Sequence, residues 1–190
     1  MTLPNTFRQH PRLWIGIALY LGLIYLTLPL TPVAVHYFFA VIGPETFGWG
    51  VNTVLILALL GAFYRLYQMN SSLREKAPSV FPLLLPTLAI LVIAATVDKP
   101  VERIHFLQYA ILGVLVFRTL ERHGFRDLMV ALLWLFLAGL TDEIIQWFLP
   151  TRYWDIRDVA MNTLGGGLGL WWGRFLFPVG DIKVQAETRQ

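Results

Sequence analysis

Apolar residues fall in long blocks that recur along almost the whole chain, with short polar stretches between them. Crossing ~30 Å of hydrocarbon takes about 20 helical residues at 1.5 Å each, and the blocks approach or reach that length. They predict helices over Leu13 to Leu30, Trp49 to Tyr67, Val80 to Val97, Ile104 to Leu120, Leu128 to Leu149 and Val159 to Val179. Val33 to Ile42 is apolar but too short to span, which places it in the interface or against the bundle as a short helix. The expected fold class is all-α: a polytopic membrane helical bundle with about six transmembrane helices, in which residues 1–190 form a single membrane domain.

Composition supports this pattern. Of 190 residues, 56% are hydrophobic and 14% charged, and the mean hydropathy is +0.60, far from an ordinary soluble domain. The first block is expected to be a retained helix rather than a cleaved leader, because Thr27-Leu-Pro-Leu-Thr-Pro lacks a small-residue cleavage site and further spans follow. The absence of cysteine excludes disulfides, a thiolate nucleophile and sulfur-ligated metal. A pI of 9.4 speaks for topology markers rather than nucleic acid.

The cations divide unevenly between the two sides of the predicted bundle. Arg8, Arg12, Arg65, Arg74, Lys76, Arg118, Arg122, Arg126, Arg174, Lys183 and Arg189 fall on one side, with Lys99, Arg103, Arg152 and Arg157 opposite. By the positive-inside rule both termini are cytoplasmic, and the loops after spans one, three and five lie outside. Trp49, Trp147, Tyr153 and Trp154 fall near the predicted outer boundary, where amphipathic rings commonly sit.

That orientation gathers the unusual polar residues on one face. Asp98, Lys99, Glu102, Arg103 and His105 lie between spans three and four, and Asp142 to Asn162 surround the junction of spans five and six. Ionisable residues near the centre of a membrane helix cost roughly 2.5 to 3.5 kcal/mol each on insertion scales, so they are candidate functional residues by default. Glu143 and Gln146 sit at i, i+3 and Asp142 and Gln146 at i, i+4, spacings at which helical neighbours hydrogen-bond, and Glu143 with Gln146 is the expected inward pair. Glu102, His105 and Tyr109 set a carboxylate, an imidazole and a phenol along one stripe of span four. Asp155 is expected to cap span six, with Asp158 and Asn162 four residues apart and running inward. Arg152 and Arg157 bring guanidinium forks suited to phosphate or carboxylate.

His105 and Glu143 are the candidate proton-transfer groups, and Glu102, Arg103, Tyr109, Asp142, Gln146, Arg152, Arg157, Asp158 and Asn162 the candidate ligand-binding groups. A structural reading stays open beside this one, with the carboxylates paired to Arg103, Arg152 or Arg157 to lock the bundle. Gly165, Gly169 and Gly173 repeat every fourth residue and predict close helix approach, within the chain or in a homo-oligomer. No metal is expected, since no short ligand motif accompanies His105, and no cofactor fingerprint is present. The only serines, Ser71, Ser72 and Ser79, fall on the predicted cytoplasmic side.

Two blocks resemble the VanZ-like family of small membrane proteins. The first is Glu102-Arg-Ile-His-Phe-Leu-Gln-Tyr-Ala-Ile-Leu-Gly113; the second combines Asp142-Glu-Ile-Ile-Gln146, Pro150-Thr-Arg152, Asp155-Ile-Arg-Asp158 and Asn162-Thr-Leu-Gly165-Gly166. Together they cover roughly 98–169. Many members carry Asp-Lys just before the histidine, whereas here Asp98-Lys99 lies farther upstream and Glu102-Arg103 takes the nearer place. The resemblance implies a protein of the bacterial cytoplasmic membrane, linked to glycopeptide antibiotic resistance of the teicoplanin type, without supplying a reaction.

Three functions are compatible with these residues. A binding or processing module would take an envelope component, such as a lipid-linked phosphate, cell-wall intermediate or glycopeptide, at the outer leaflet, with membrane lipids as its other partners. A membrane-embedded acid–base enzyme, a hydrolase or transferase on a lipid-linked substrate, would use Glu143 or His105 as proton acceptor. A transporter would also carry intramembrane acids, but polar residues limited to one leaflet argue against a through-path.

Overall fold

The computed structural model describes residues 11–69, 83–84, 87–88, 91–92, 100–120, 124–150 and 152–177. Within them the chain is all-helical, with α1 (Pro11–Thr27), α2 (Thr31–Ile42), α3 (Pro44–Met69), α4 (Pro100–Phe117), α5 (Phe125–Trp147) and α6 (Ile156–Leu176). The expected span Val80 to Val97 lies largely outside the described residues; of it, 83–84, 87–88 and 91–92 are helical. The charge markers Arg8, Arg74, Lys76, Asp98, Lys99, Arg122, Lys183 and Arg189 also lie outside them.

Three helices, α3, α4 and α5, are long and apolar enough to cross a membrane, and α1 with α2 makes a fourth if that bent pair is one span. The bend between α1 and α2 is 63°. It follows from sequence: Pro29 cannot continue the backbone ladder, and the hydroxyls of Thr27 and Thr31 donate back to the carbonyls of Ile24 and Thr27 at 2.8 and 2.9 Å. At the far end of α2, Gly43 adopts φ +82°, donates its N–H to the Phe39 carbonyl at 3.1 Å, and hands the chain to Pro44, the first residue of α3. No residue of α2 is buried. Large apolar side chains on α1, α2 and α3, among them Leu19, Leu26, Val33, Tyr37, Trp49 and Leu60, stay exposed, as lipid-facing residues do.

The core forms where α4, α5 and α6 meet, with α4 and α6 the most extensively packed pair. A Cβ built on Gly169 would collide with the carbonyl of Ala110, and one on Gly113 with that of Gly166. The glycine stripe is therefore used within the chain, where it lets the α4 and α6 backbones touch. On its other side α6 meets α5, where a Cβ at Gly166 would lie 3.1 Å from the Leu135 side chain. Tyr109, Leu112, Val116 and Leu135, all buried, fill the space between the helices, and Ile17 and Ile24 of α1 join the same cluster.

Candidate functional site

Pro150 follows the end of α5, and residues 152–155 run without helix into α6. Asp155 caps α6 as its spacing predicts: its side chain accepts the Arg157 backbone N–H at 2.9 Å. This turn holds the acids of α5 against the first turns of α6 and the N-terminal half of α4.

Asp142, itself fully buried, is the hub of a polar cluster. Its Oδ2 lies 3.3 Å from the Tyr109 hydroxyl, 3.2 Å from the Asn162 amide nitrogen and 3.6 Å from Nδ1 of His105. The Gln146 amide nitrogen lies 3.4 Å from Oδ1 of Asp142 and donates to Oε1 of Glu143 at 3.0 Å, tying the two carboxylates together from one helical turn away. The second oxygen of Glu143 accepts the Asp155 backbone N–H at 3.0 Å, just before α6 begins. That site favours an anion because the orphan N–H groups of a helix start point outward.

Above this inner cluster opens a cavity of about 700 Å³. Glu45 of α3 with Glu102, Gln146, Arg152, Asp155 and Asp158 supply its charged and amide lining, Tyr153 and Trp154 its aromatic edge, and Thr31, Pro32, Val35 and Phe39 of α2 its roof. Arg152 is half-buried there, and its Nε has no hydrogen-bond partner. A buried donor left unmade costs roughly 1–3 kcal/mol, and more when charged, so an acceptor arriving in the cavity would relieve that cost. His105 borders an adjoining space of about 270 Å³, and its Nδ1 also lacks a hydrogen bond.

The sequence-predicted residues thus separate into three groups. Asp142, Glu143, Gln146, Tyr109, Asn162 and His105 form the inner cluster; Glu102, Arg152 and Asp158 line the cavity, which Gln146 reaches from below. Two arginines lie apart. Arg103 donates to Asn52 on α3 at 2.8 Å, and Arg157, with 84% of its side chain exposed, pairs with Asp155 at 2.6 Å. Among the described residues no group of acids and histidines is placed to hold a metal ion.

Sequence reasoning missed three contributors. Tyr25 of α1 donates to the Ala138 carbonyl at 2.8 Å beside Asp142, Asn52 holds Arg103, and α2 roofs the cavity. A phenol inside an apolar run and a lone amide inside another were the available signals, since both need a partner in hydrocarbon.

Neither the curated proteins nor the solved structures include a match to this chain. The VanZ/LLP1 family model matches residues 5–177, taking in α1, α2 and α3 as well as the motif blocks. With nearly the whole sequence aligned to that model, the chain belongs to the VanZ-like family.

Proposed function

We propose that this chain is a multi-pass protein of the bacterial cytoplasmic membrane, with six spans and both termini inside, whose cavity binds a cell-envelope component at the outer leaflet. The component is one that presents phosphate or carboxylate: a lipid-linked phosphate, a cell-wall intermediate or a glycopeptide. The observation that carries this reading is Arg152, a guanidinium at the edge of an apolar-roofed cavity of about 700 Å³ whose buried Nε has no acceptor. Arginine offers a planar fork that fits phosphate and carboxylate, and such charge-assisted bonds strengthen away from water. The family's link to glycopeptide resistance fits a protein that handles such a component.

Photocrosslinking from a benzophenone side chain at Val35, on the cavity roof, tests the reading in native membranes. An adduct carrying a phosphate- or carboxylate-bearing envelope component, lost in Arg152→Ala, is expected. An adduct profile indifferent to Arg152→Ala contradicts it.

Acid–base chemistry on the same component is a second reading, favoured by one observation: Nδ1 of His105 faces Asp142 at 3.6 Å without a hydrogen bond. Glu143 supports it less, being wholly buried with one oxygen bonded to Gln146 and the other to the Asp155 backbone. Turnover of a lipid-linked substrate that collapses in His105→Ala, with folding intact, would favour this enzyme reading over binding alone.

A further inference from the structure

Beside the Arg152 cavity lies the smaller space of about 270 Å³, bordered by the bend between α1 and α2, the start of α3 and the first turns of α4. None of the charged residues of the larger cavity borders it. Two buried polar atoms belong to residues of its wall and have no hydrogen-bond partner: Nδ1 of His105 and Oε1 of Gln108. The two residues are three apart on α4, so they share one face. Gln108 is anchored there through its backbone, whose carbonyl accepts the Tyr20 hydroxyl at 3.2 Å, while its amide oxygen is left without a donor.

The chemistry of the wall selects the ligand. Oδ2 of Asp142 lies 3.6 Å from Nδ1 of His105 and draws the one N–H of the neutral ring to that side. Nε2, on the far edge of the ring, keeps its lone pair. Thr27 and Thr31 line the same space, and each hydroxyl has given its proton to a backbone carbonyl, at 2.8 and 2.9 Å. The wall is therefore rich in acceptors and calls for donors. The amide of Gln108 carries N–H groups as well, which call for an acceptor. Phosphate and carboxylate only accept, ammonium only donates, and a hydroxyl does both.

Depth and size narrow the choice. His105 and Gln108 lie about 8 and 12 Å along α4 from Pro100, at 1.5 Å per residue. Because α4 is long and apolar enough to cross a membrane, that is hydrocarbon depth, where a charged ligand is costly and a neutral one much less so. The volume falls below the ~300–1,000 Å³ of sites that enclose a drug-sized ligand, so it suits a headgroup rather than a whole lipid. Ala34 and Phe38 of the lining are exposed, as lipid-facing residues are, so a hydrocarbon chain can remain in the bilayer.

We propose that this space is a second site, for a neutral lipid with two adjacent hydroxyls. One hydroxyl donates to Nε2 of His105 and the other to Oε1 of Gln108, and the chain leaves past Phe38. Glycerol and sugar headgroups both present such a diol. The site goes beyond the reading of the Arg152 cavity and does not depend on it.

Native mass spectrometry of the full chain, with monooleoylglycerol, its dimethyl ether, oleic acid and oleylamine as probes, tests this. Monooleoylglycerol should be retained roughly tenfold over the other three, as two neutral hydrogen bonds supply. His105→Phe and Gln108→Leu keep the bulk and remove the acceptors, and each should erase most of that preference. A glucosyl dioleoylglycerol separates the two sources: its displacement of bound monooleoylglycerol assigns the site to sugar headgroups, and its exclusion assigns it to glycerol. Equal retention of the diol and its dimethyl ether would overturn the hydroxyl pairing, and preference for oleylamine or oleic acid would overturn the neutral ligand. A diol preference that survives both substitutions would place the lipid elsewhere. If either variant fails to fold, photolabelling of the unaltered chain by a monooleoylglycerol with a diazirine near the head of its acyl chain decides the location. Adducts at Phe38 or Phe47 support the site, and adducts scattered over the exposed faces of α1 and α3 remove it.

Discussion

Asn162 of α6 reaches Asp142 of α5, its amide nitrogen 3.2 Å from Oδ2, and both side chains are almost completely buried. The bond joins the two helices at the depth where Tyr109 of α4 meets the same oxygen at 3.3 Å. Three helices thus converge on one carboxylate, and a buried carboxylate is tolerated because its lone pairs are taken up.

Removing that carboxylate should cost more than removing any one donor. Asp142→Ala leaves the amide of Asn162 without its acceptor and Gln146 with one fewer, each buried, and should destabilise the protein by at least ~2 kcal/mol. Asn162→Ala should cost ~1–3 kcal/mol. Thermal unfolding in detergent, followed by circular dichroism, checks the order.

The α4–α6 seam should be intolerant of a single methyl group. Gly169→Ala drives a Cβ into the Ala110 carbonyl and should lower the unfolding midpoint sharply, at the high end of the ~1–3 kcal/mol typical of overpacking. Gly16→Ala in α1, where a Cβ meets nothing within 4 Å, should leave the midpoint unchanged or raise it.

Among the described residues helix existence was legible in the sequence, and the helix starts were displaced in a consistent direction. The helices α4, α5 and α6 each begin three or four residues before the expected Ile104, Leu128 and Val159. Hydropathy discards the polar first turns carrying Glu102, Asp127 and Asp158, whereas backbone bonding starts at Pro100, after Gly124 and after the Asp155 cap. The pairing of Glu143 with Gln146 was readable from spacing within one helix. The centrality of Asp142 was not, because it depends on how α4 and α6 are rotated against α5, and single-chain periodicity carries no such information. Nor does hydropathy distinguish a short interfacial helix from a cavity roof, the part α2 plays.

The two arginines of the α5–α6 turn should behave differently. Arg152→Ala should weaken capture of an anionic or zwitterionic headgroup by roughly tenfold, with Arg152→Lys restoring it only in part. Arg157→Ala should change it little, since Arg157 is solvent-exposed and already engaged with Asp155. Titration of a labelled lipid analogue against the purified variants checks the contrast.

The proposed topology predicts the sidedness of labelling. The chain has no cysteine, so single substitutions report cleanly. Trp154→Cys should react with a membrane-impermeant maleimide in intact cells, and Arg126→Cys, at the start of α5, only after permeabilisation.

The most direct measurement is an experimental map of the protein in a lipid bilayer. The account predicts headgroup density in the cavity under α2, with an oxygen about 2.7–2.9 Å from Arg152, as a charge-assisted hydrogen bond requires. An empty or collapsed cavity, with Arg152 folded against Glu143, would contradict it.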